Sequence, residues 1–93
     1  MAMEFEWDEA KSEWTRRERG VDFAAAARIF EAPVQTTPDE RRDYGEERII
    51  AIGEVDGMVL VVVYTDRSGV RRIISARPAN RKERETWRLF AKR

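Results

Sequence analysis

Asp56-Gly57, followed by Met58-Val-Leu-Val-Val-Val-Tyr-Thr65, restricts the folds open to this chain more than any other stretch. Asp-Gly between apolar runs is a strong signal for a two-residue hairpin turn, because both turn positions need left-handed backbone angles. Residues 58–65 are apolar at odd and even positions alike. Side chains alternate between the faces of a strand. A run apolar on both predicts a central strand covered on both sides. Arg48 to Glu54 reads as the strand before the turn. Gly69 to Arg77 reads as the strand after Arg67-Ser68-Gly69.

Helices flank this meander. Residues 4–7 alternate polar and apolar, as a short edge strand does. Asp8 suits the N-cap of a first helix to about Arg19, with Ala10, Trp14 and Arg17 on one face and Gly20 as a left-handed stop. Asp22 caps a second helix, in which Phe23, Ala26, Ala27 and Phe30 follow the i, i+3, i+4, i+7 rule. Pro33 ends it, and Val34 to Thr37 reads as another short strand. Asn80 with Glu83 forms a possible capping box for a last helix striped with Trp87, Phe90 and Ala91. The expected class is α+β: two N-terminal helices, an antiparallel β-meander sheet and one C-terminal helix. Ninety-three residues make one domain, 1–93.

The chain has no cysteine and no histidine. That excludes disulfide staples, thiolate metal sites and a cysteine nucleophile, and it removes the usual general base. The carboxylate spacings match no known metal cage, so no metal or other cofactor is expected. No apolar run approaches the roughly 18 residues of a membrane span, and the N-terminus lacks a secretory pattern. A cytoplasmic protein with no membrane partner is the expectation. Net charge is zero, yet the halves differ. Residues 1–45 hold 7 Lys/Arg against 11 Asp/Glu, and residues 46–93 hold 11 against 7. Such asymmetry can give a neutral protein a basic face.

The last strand carries much of that charge. By simple alternation Arg71, Ile73, Ser75 and Arg77 share one face, and Arg72, Ile74 and Ala76 the other. Two arginines and a hydroxyl aligned on a sheet can grip a phosphate.

Several motifs resemble one family in order and spacing. They are Phe5-Glu6-Trp7-Asp8-x-x-Lys11, Gly20-Val21-x-Phe23, Asp43-Tyr44-Gly45-Glu46-x-Arg48, Ile52-Gly53, and Ile73-Ile74-Ser75-Ala76-Arg77. Across about residues 5–88 the chain is similar to the BrnT toxins of bacteria. The resemblance implies a RelE-like fold and a ribonuclease toxin of a type II toxin–antitoxin system that blocks translation by cutting RNA. It also implies a BrnA-type antitoxin as partner, with DNA bound only through that antitoxin. One position departs from the pattern. The family typically reads Asn-x-x-Lys-His-Gly where this chain has Thr15, Glu18 and Arg19 before Gly20. Arg19 keeps the charge but cannot act as a base near neutral pH. A degenerate member that binds antitoxin or RNA without cutting is therefore the alternative.

RNA can be cut without metal when its 2′-hydroxyl attacks the adjacent phosphorus. The protein then positions the phosphate and neutralises its oxygens, which suits the planar fork of arginine. Lys11, Arg48, Arg71 and Arg77 are candidate phosphate ligands, with Lys11 and Arg77 first because they lie in the best-matched motifs. Arg19 joins Lys11, Arg48 and Arg77 as a candidate catalytic residue through its place in the family pattern. Lys11 among arginines can have its pKa lowered and serve as base; Tyr44, Glu46 and Tyr64 are other options. Tyr44, Tyr64 and Trp87 offer faces for stacking a base, and Arg71 and Ser75 would contact RNA. The competing reading makes Arg71 and Arg72 a solvated strand. It makes the run Glu40 to Asp43 a mixed-sign surface. Trp7, Trp14 and Trp87 then serve a core or a partner.

Overall fold

The computed structural model describes residues 3–92. Strand β1 (Glu4–Glu6) leads into helix α1 (Glu9–Arg19) and helix α2 (Phe23–Ala27), which tightens into a 3-10 turn over Arg28–Glu31. Strands β2 (Gln35–Pro38), β3 (Ile49–Val55), β4 (Met58–Arg67) and β5 (Val70–Pro78) follow, then helix α3 (Arg81–Ala91). They form one five-stranded sheet in the order β1-β5-β4-β3-β2, with β4 in the middle. β2 to β5 pair antiparallel, whereas β1 pairs parallel to β5. The sheet is therefore mixed, and the α+β class holds.

The caps expected from sequence form. Asp8 accepts the N–H of Lys11, and Gly20 (φ 78°) ends α1 by donating to the Arg16 carbonyl. Asp22 accepts from Ala25. Asn80 and Glu83 make a reciprocal capping box on α3. Asp56 and Gly57 take φ of 51° and 79°, and Ser68 and Gly69 take 54° and 81°. Both hairpins thus use two left-handed residues, the arrangement that matches strand twist.

Helix α1 packs against α2 and β5, and helix α2 and the 3-10 turn lie over one face of the sheet. Phe23 and Ile29 are fully buried there against Leu60, Val62, Ile73, Ala51 and Ala76. A Cβ at Gly53 would come 2.8 Å from the Ile29 Cβ and 2.9 Å from the Val34 Cγ1. Glycine is what lets the turn rest directly on β3.

Helix α1 is the main departure from the sequence expectation. Its buried residues are Ser12 and Thr15, and Trp14, on the face with Ala10 and Arg17, is 46% exposed. Each buried hydroxyl is satisfied. Ser12 Oγ accepts the Phe23 N–H at 2.9 Å, and Thr15 donates to the Lys11 carbonyl at 2.8 Å. The smaller side chains allow close helix packing, and the hydrogen bonds offset the cost of burying polar atoms. α2 also ends earlier than its apolar spacing suggests, at Ala27, with Phe30 on the 3-10 turn.

Candidate nucleic-acid interface

Register decides which side chains reach the other face of the sheet. Val62 pairs with Ala51 and Ala76, all on the core side. Val61 pairs with Ile52 and Arg77, and Val63 with Ile50 and Ser75, so these six face away from α2. Between Val63 and Tyr64 the pairing slips. Val63 faces Ser75, Tyr64 faces Ile73, and Ile74 has no partner. This is a bulge in β5, and it breaks simple alternation. Arg71 and Ile73 fall on the core side, and Ile74, Ser75 and Arg77 on the other. The expectation that Arg71, Ile73, Ser75 and Arg77 share a face fails for that reason.

The outward face carries two adjoining hollows of about 300 and 410 Å³. Val63, Ser75 and Arg41 line both. Arg19, Arg77 and Glu83 complete the polar rim of the smaller, over Ile50 and Val61. Lys11, Arg42, Tyr44 and Arg48 rim the larger, over Ile74. Three parts of the chain supply the rim: α1, the β2–β3 loop with the residue that ends it, and β5 with the start of α3. Val61 and Val63 are only 5% and 6% exposed, and Glu54, outward by its pairing with Val59, holds buried Trp87 of α3 on this same face. The apolar stems of long cationic side chains can cover such a floor while their heads stay wet.

Among the described residues, six cations and one carboxylate, Glu83, line the two hollows, and Asp39 and Glu46 pair with Arg41 and Arg48. Arg77 is bidentate to Glu83 at 2.8 and 2.7 Å, and this pair holds the Glu83 carboxyl at about 2. Arg48 donates to Glu46 at 3.1 Å and lies 4.0 Å from the Tyr44 ring centre. Arg19 donates to the Ala76 carbonyl at 3.2 Å, and its guanidinium sits over Trp14. Lys11 forms no ion pair with another described residue. Its pKa is lowered, first by lost hydration and then by the charge of Arg48, with Arg19 and Arg72 adding to it; Asp8 opposes.

Among the residues singled out in sequence, Lys11, Tyr44, Arg48 and Ser75 line the larger hollow, and Arg19, Ser75 and Arg77 the smaller. Arg71 and Tyr64 lie on the opposite face. Arg71 is bidentate to Asp66 at 2.8 and 2.9 Å, and its cation sits 4.2 Å from the Tyr64 ring and 4.6 Å from Phe30. Tyr64 is buried, which raises its hydroxyl pKa. Trp87 is buried too, donating to Glu54 at 2.9 Å. The larger depression of about 640 Å³ beside Phe5, Phe30 and Arg71 is a weaker anion site, because it is lined by two cations, Arg28 and Arg71, both engaged by carboxylates, and by Glu31.

Arg41 belongs to the site and was hidden in the mixed-sign run from Glu40 to Asp43. The sequence signal was Asp39 after Pro38, since an aspartate in a turn often accepts the N–H two residues on. Here Asp39 accepts the Arg41 N–H at 3.3 Å.

A small α+β protein with an apolar-floored, cation-rimmed sheet face has the layout of a binder of a flexible polyanion. The family model described as "Ribonuclease toxin, BrnT, of type II toxin-antitoxin system" matches residues 7–83, and the chain belongs to that family. Membership implies a ribonuclease toxin of a type II system, with RNA as its target and an antitoxin as its partner. A search of curated proteins returns no match. Among the described residues, no helix is long and apolar enough to cross a membrane.

Proposed function

We propose that the protein is a metal-independent endoribonuclease that cuts RNA on the outward face of its sheet, inhibits translation in the cytoplasm, and is neutralised by a BrnA-type antitoxin. The observation carrying this reading is the pair of adjoining hollows that has Lys11 and Arg48 in one, Arg77 and Arg19 in the other, and Ser75 between them. The phosphate of a single strand lies along this line. Arginine donors offset the charge that grows on its oxygens as the 2′-oxygen attacks phosphorus and the bond to the 5′-oxygen breaks. Lys11, with its lowered pKa, takes the proton of the 2′-hydroxyl in its neutral form. The leaving 5′-oxygen collects a proton from water or from the Lys11 ammonium so formed.

The test is incubation of purified protein with single-stranded RNA in the presence of a metal chelator. Products ending in a 2′,3′-cyclic phosphate and a 5′-hydroxyl are expected. Intact RNA, together with undiminished protein synthesis in a cell-free extract, would overturn the enzymatic reading. Arg19 favours a second reading, of a toxin-fold binder that no longer cuts. It cannot move a proton near neutral pH, and its guanidinium is occupied by the Ala76 carbonyl and Trp14. Cleavage by Arg19→His that the parent lacks would establish that reading.

A further inference from the structure

Among the described residues, only one charged side chain lines both hollows, and it comes from the β2–β3 loop. We propose that Arg41, held by the buried carboxylate of Asp39, is a phosphate ligand at the junction of the two hollows, where it grips single-stranded RNA. This rests on the ribonuclease reading of the same face and adds a residue that reading did not use.

Position comes first. The junction is lined by Arg41, Val63 and Ser75. A phosphate there would meet one guanidinium and one hydroxyl over an apolar floor. Arg77 is close by, since the Arg41 charge works against the Glu83 contact that raises the Arg77 pKa.

Preorganisation comes second. The Asp39 side chain is fully buried, while that of Arg41 is 69% exposed. Arg41 Nε and Nη2 each donate at 2.8 Å to different Asp39 oxygens. Asp39 is itself anchored, its N–H donating to the Arg48 carbonyl at 2.8 Å. The Arg41 contact holds the Asp39 carboxyl far below the usual carboxylate range, so the pair stays charged. A guanidinium has five N–H groups. Two of them bind Asp39, the Tyr44 hydroxyl borders the pair, and Nη1 makes no hydrogen bond of good geometry among the described residues. Fixing one edge of the fork leaves the other preset for a phosphate oxygen, at little further entropic cost.

Occupant comes third. The hollows run on from one another, and the Tyr44 ring stands in the larger one beside Arg48. A cationic track with an aromatic face suits an unpaired strand, whose bases can turn out and stack.

The experiment uses two probes: a short cleavable single-stranded RNA for turnover, and its 2′-O-methyl form for binding across a salt series. Arg41→Gln should lower kcat/KM on the order of 10²–10³-fold. It should also flatten the slope of log affinity against log salt by about 0.7, the share of one phosphate contact on a single strand. Because Arg41→Gln leaves Asp39 unpaired, the double variant Asp39→Asn/Arg41→Gln gives the same readout with a neutral pair. Arg41→Lys should keep the salt slope and lose most of the rate. Asp39→Asn alone, a change at a positioning residue, should keep the slope and lower kcat. Glu40→Gln should match the parent. Parental turnover and slope in a folded double variant would overturn the assignment. So would binding of an acidic peptide by a parent that ignores the RNA probe. A parent that neither binds nor cuts RNA removes the ribonuclease reading and this assignment together, whereas a parent that cuts RNA with Arg41 dispensable removes only the latter.

Discussion

The two faces of the sheet share their strands and differ in what covers them. On one, Phe23, Ile29, Leu60 and Val62 are at 0% exposure under α2 and its 3-10 extension. On the other, Val61 and Val63 reach nearly the same burial beneath a rim rich in arginine. Residues of β4 alternate between the two, so a single apolar run both fills a core and floors a site. The first face is closed by shape and tolerates little change. The second is covered by α3, whose Trp87 bonds Glu54 there, and by a cationic rim in which several arginines are held in place by carboxylates.

Truncation in the closed face should have the largest effect. Phe23→Ala is expected to cost about 3–5 kcal/mol of stability, the usual range for a buried phenylalanine, read as a lower denaturation midpoint. The open face should show the reverse pattern. Lys11→Met should reduce RNA cleavage on the order of 10²-fold or more while stability stays within about 0.5 kcal/mol of the parent, because it alters a surface side chain. A large loss of stability with unchanged cleavage would put Lys11 in the wrong category.

Gly53→Ala probes the contact between β3 and the 3-10 turn. A Cβ there meets Ile29 and Val34 at under 3 Å, so overpacking of about 1–3 kcal/mol is expected, measured by thermal unfolding. The smallest effect concerns Glu83, whose carboxyl falls from an ordinary 4.5 to about 2 through its bond to Arg77. A carboxylate with a depressed native pKa contributes stability above its unfolded value and loses it as pH falls through the folded one. The parent's melting temperature should therefore drop more steeply between pH 4.5 and 2 than that of Glu83→Gln, which keeps a capping side chain. Parallel curves would mean that the ion pair contributes nothing.

Much of the closed face was legible because its signals are local. Asp8, Gly20 and Asp22 mark helix ends through hydrogen bonds that span only a few residues. Asp56-Gly57 fixes its hairpin through backbone angles alone. The inward turn of Ser12 and Thr15 was not legible, because it depends on α2 offering the Phe23 N–H as a partner. The open face was read only in part. Lys11, Arg48, Ser75 and Arg77 line it, but the bulge at Ile74 sends Arg71 to the far side. A bulge is a property of two paired strands, and neither strand announces it. Arg41 escaped because its partner Asp39 is buried by the fold, while the run around it reads as ordinary surface charge.

Titration of labelled protein with the 2′-O-methyl RNA, followed by amide chemical shifts, would compare the faces within one sample. Shifts concentrated at Lys11, at residues 41–48 and at residues 74–77, with Phe5, Phe30 and Arg71 unmoved, are the expected result. Shifts concentrated around Phe5, Phe30 and Arg71 would contradict it and move the RNA to the opposite side of the sheet.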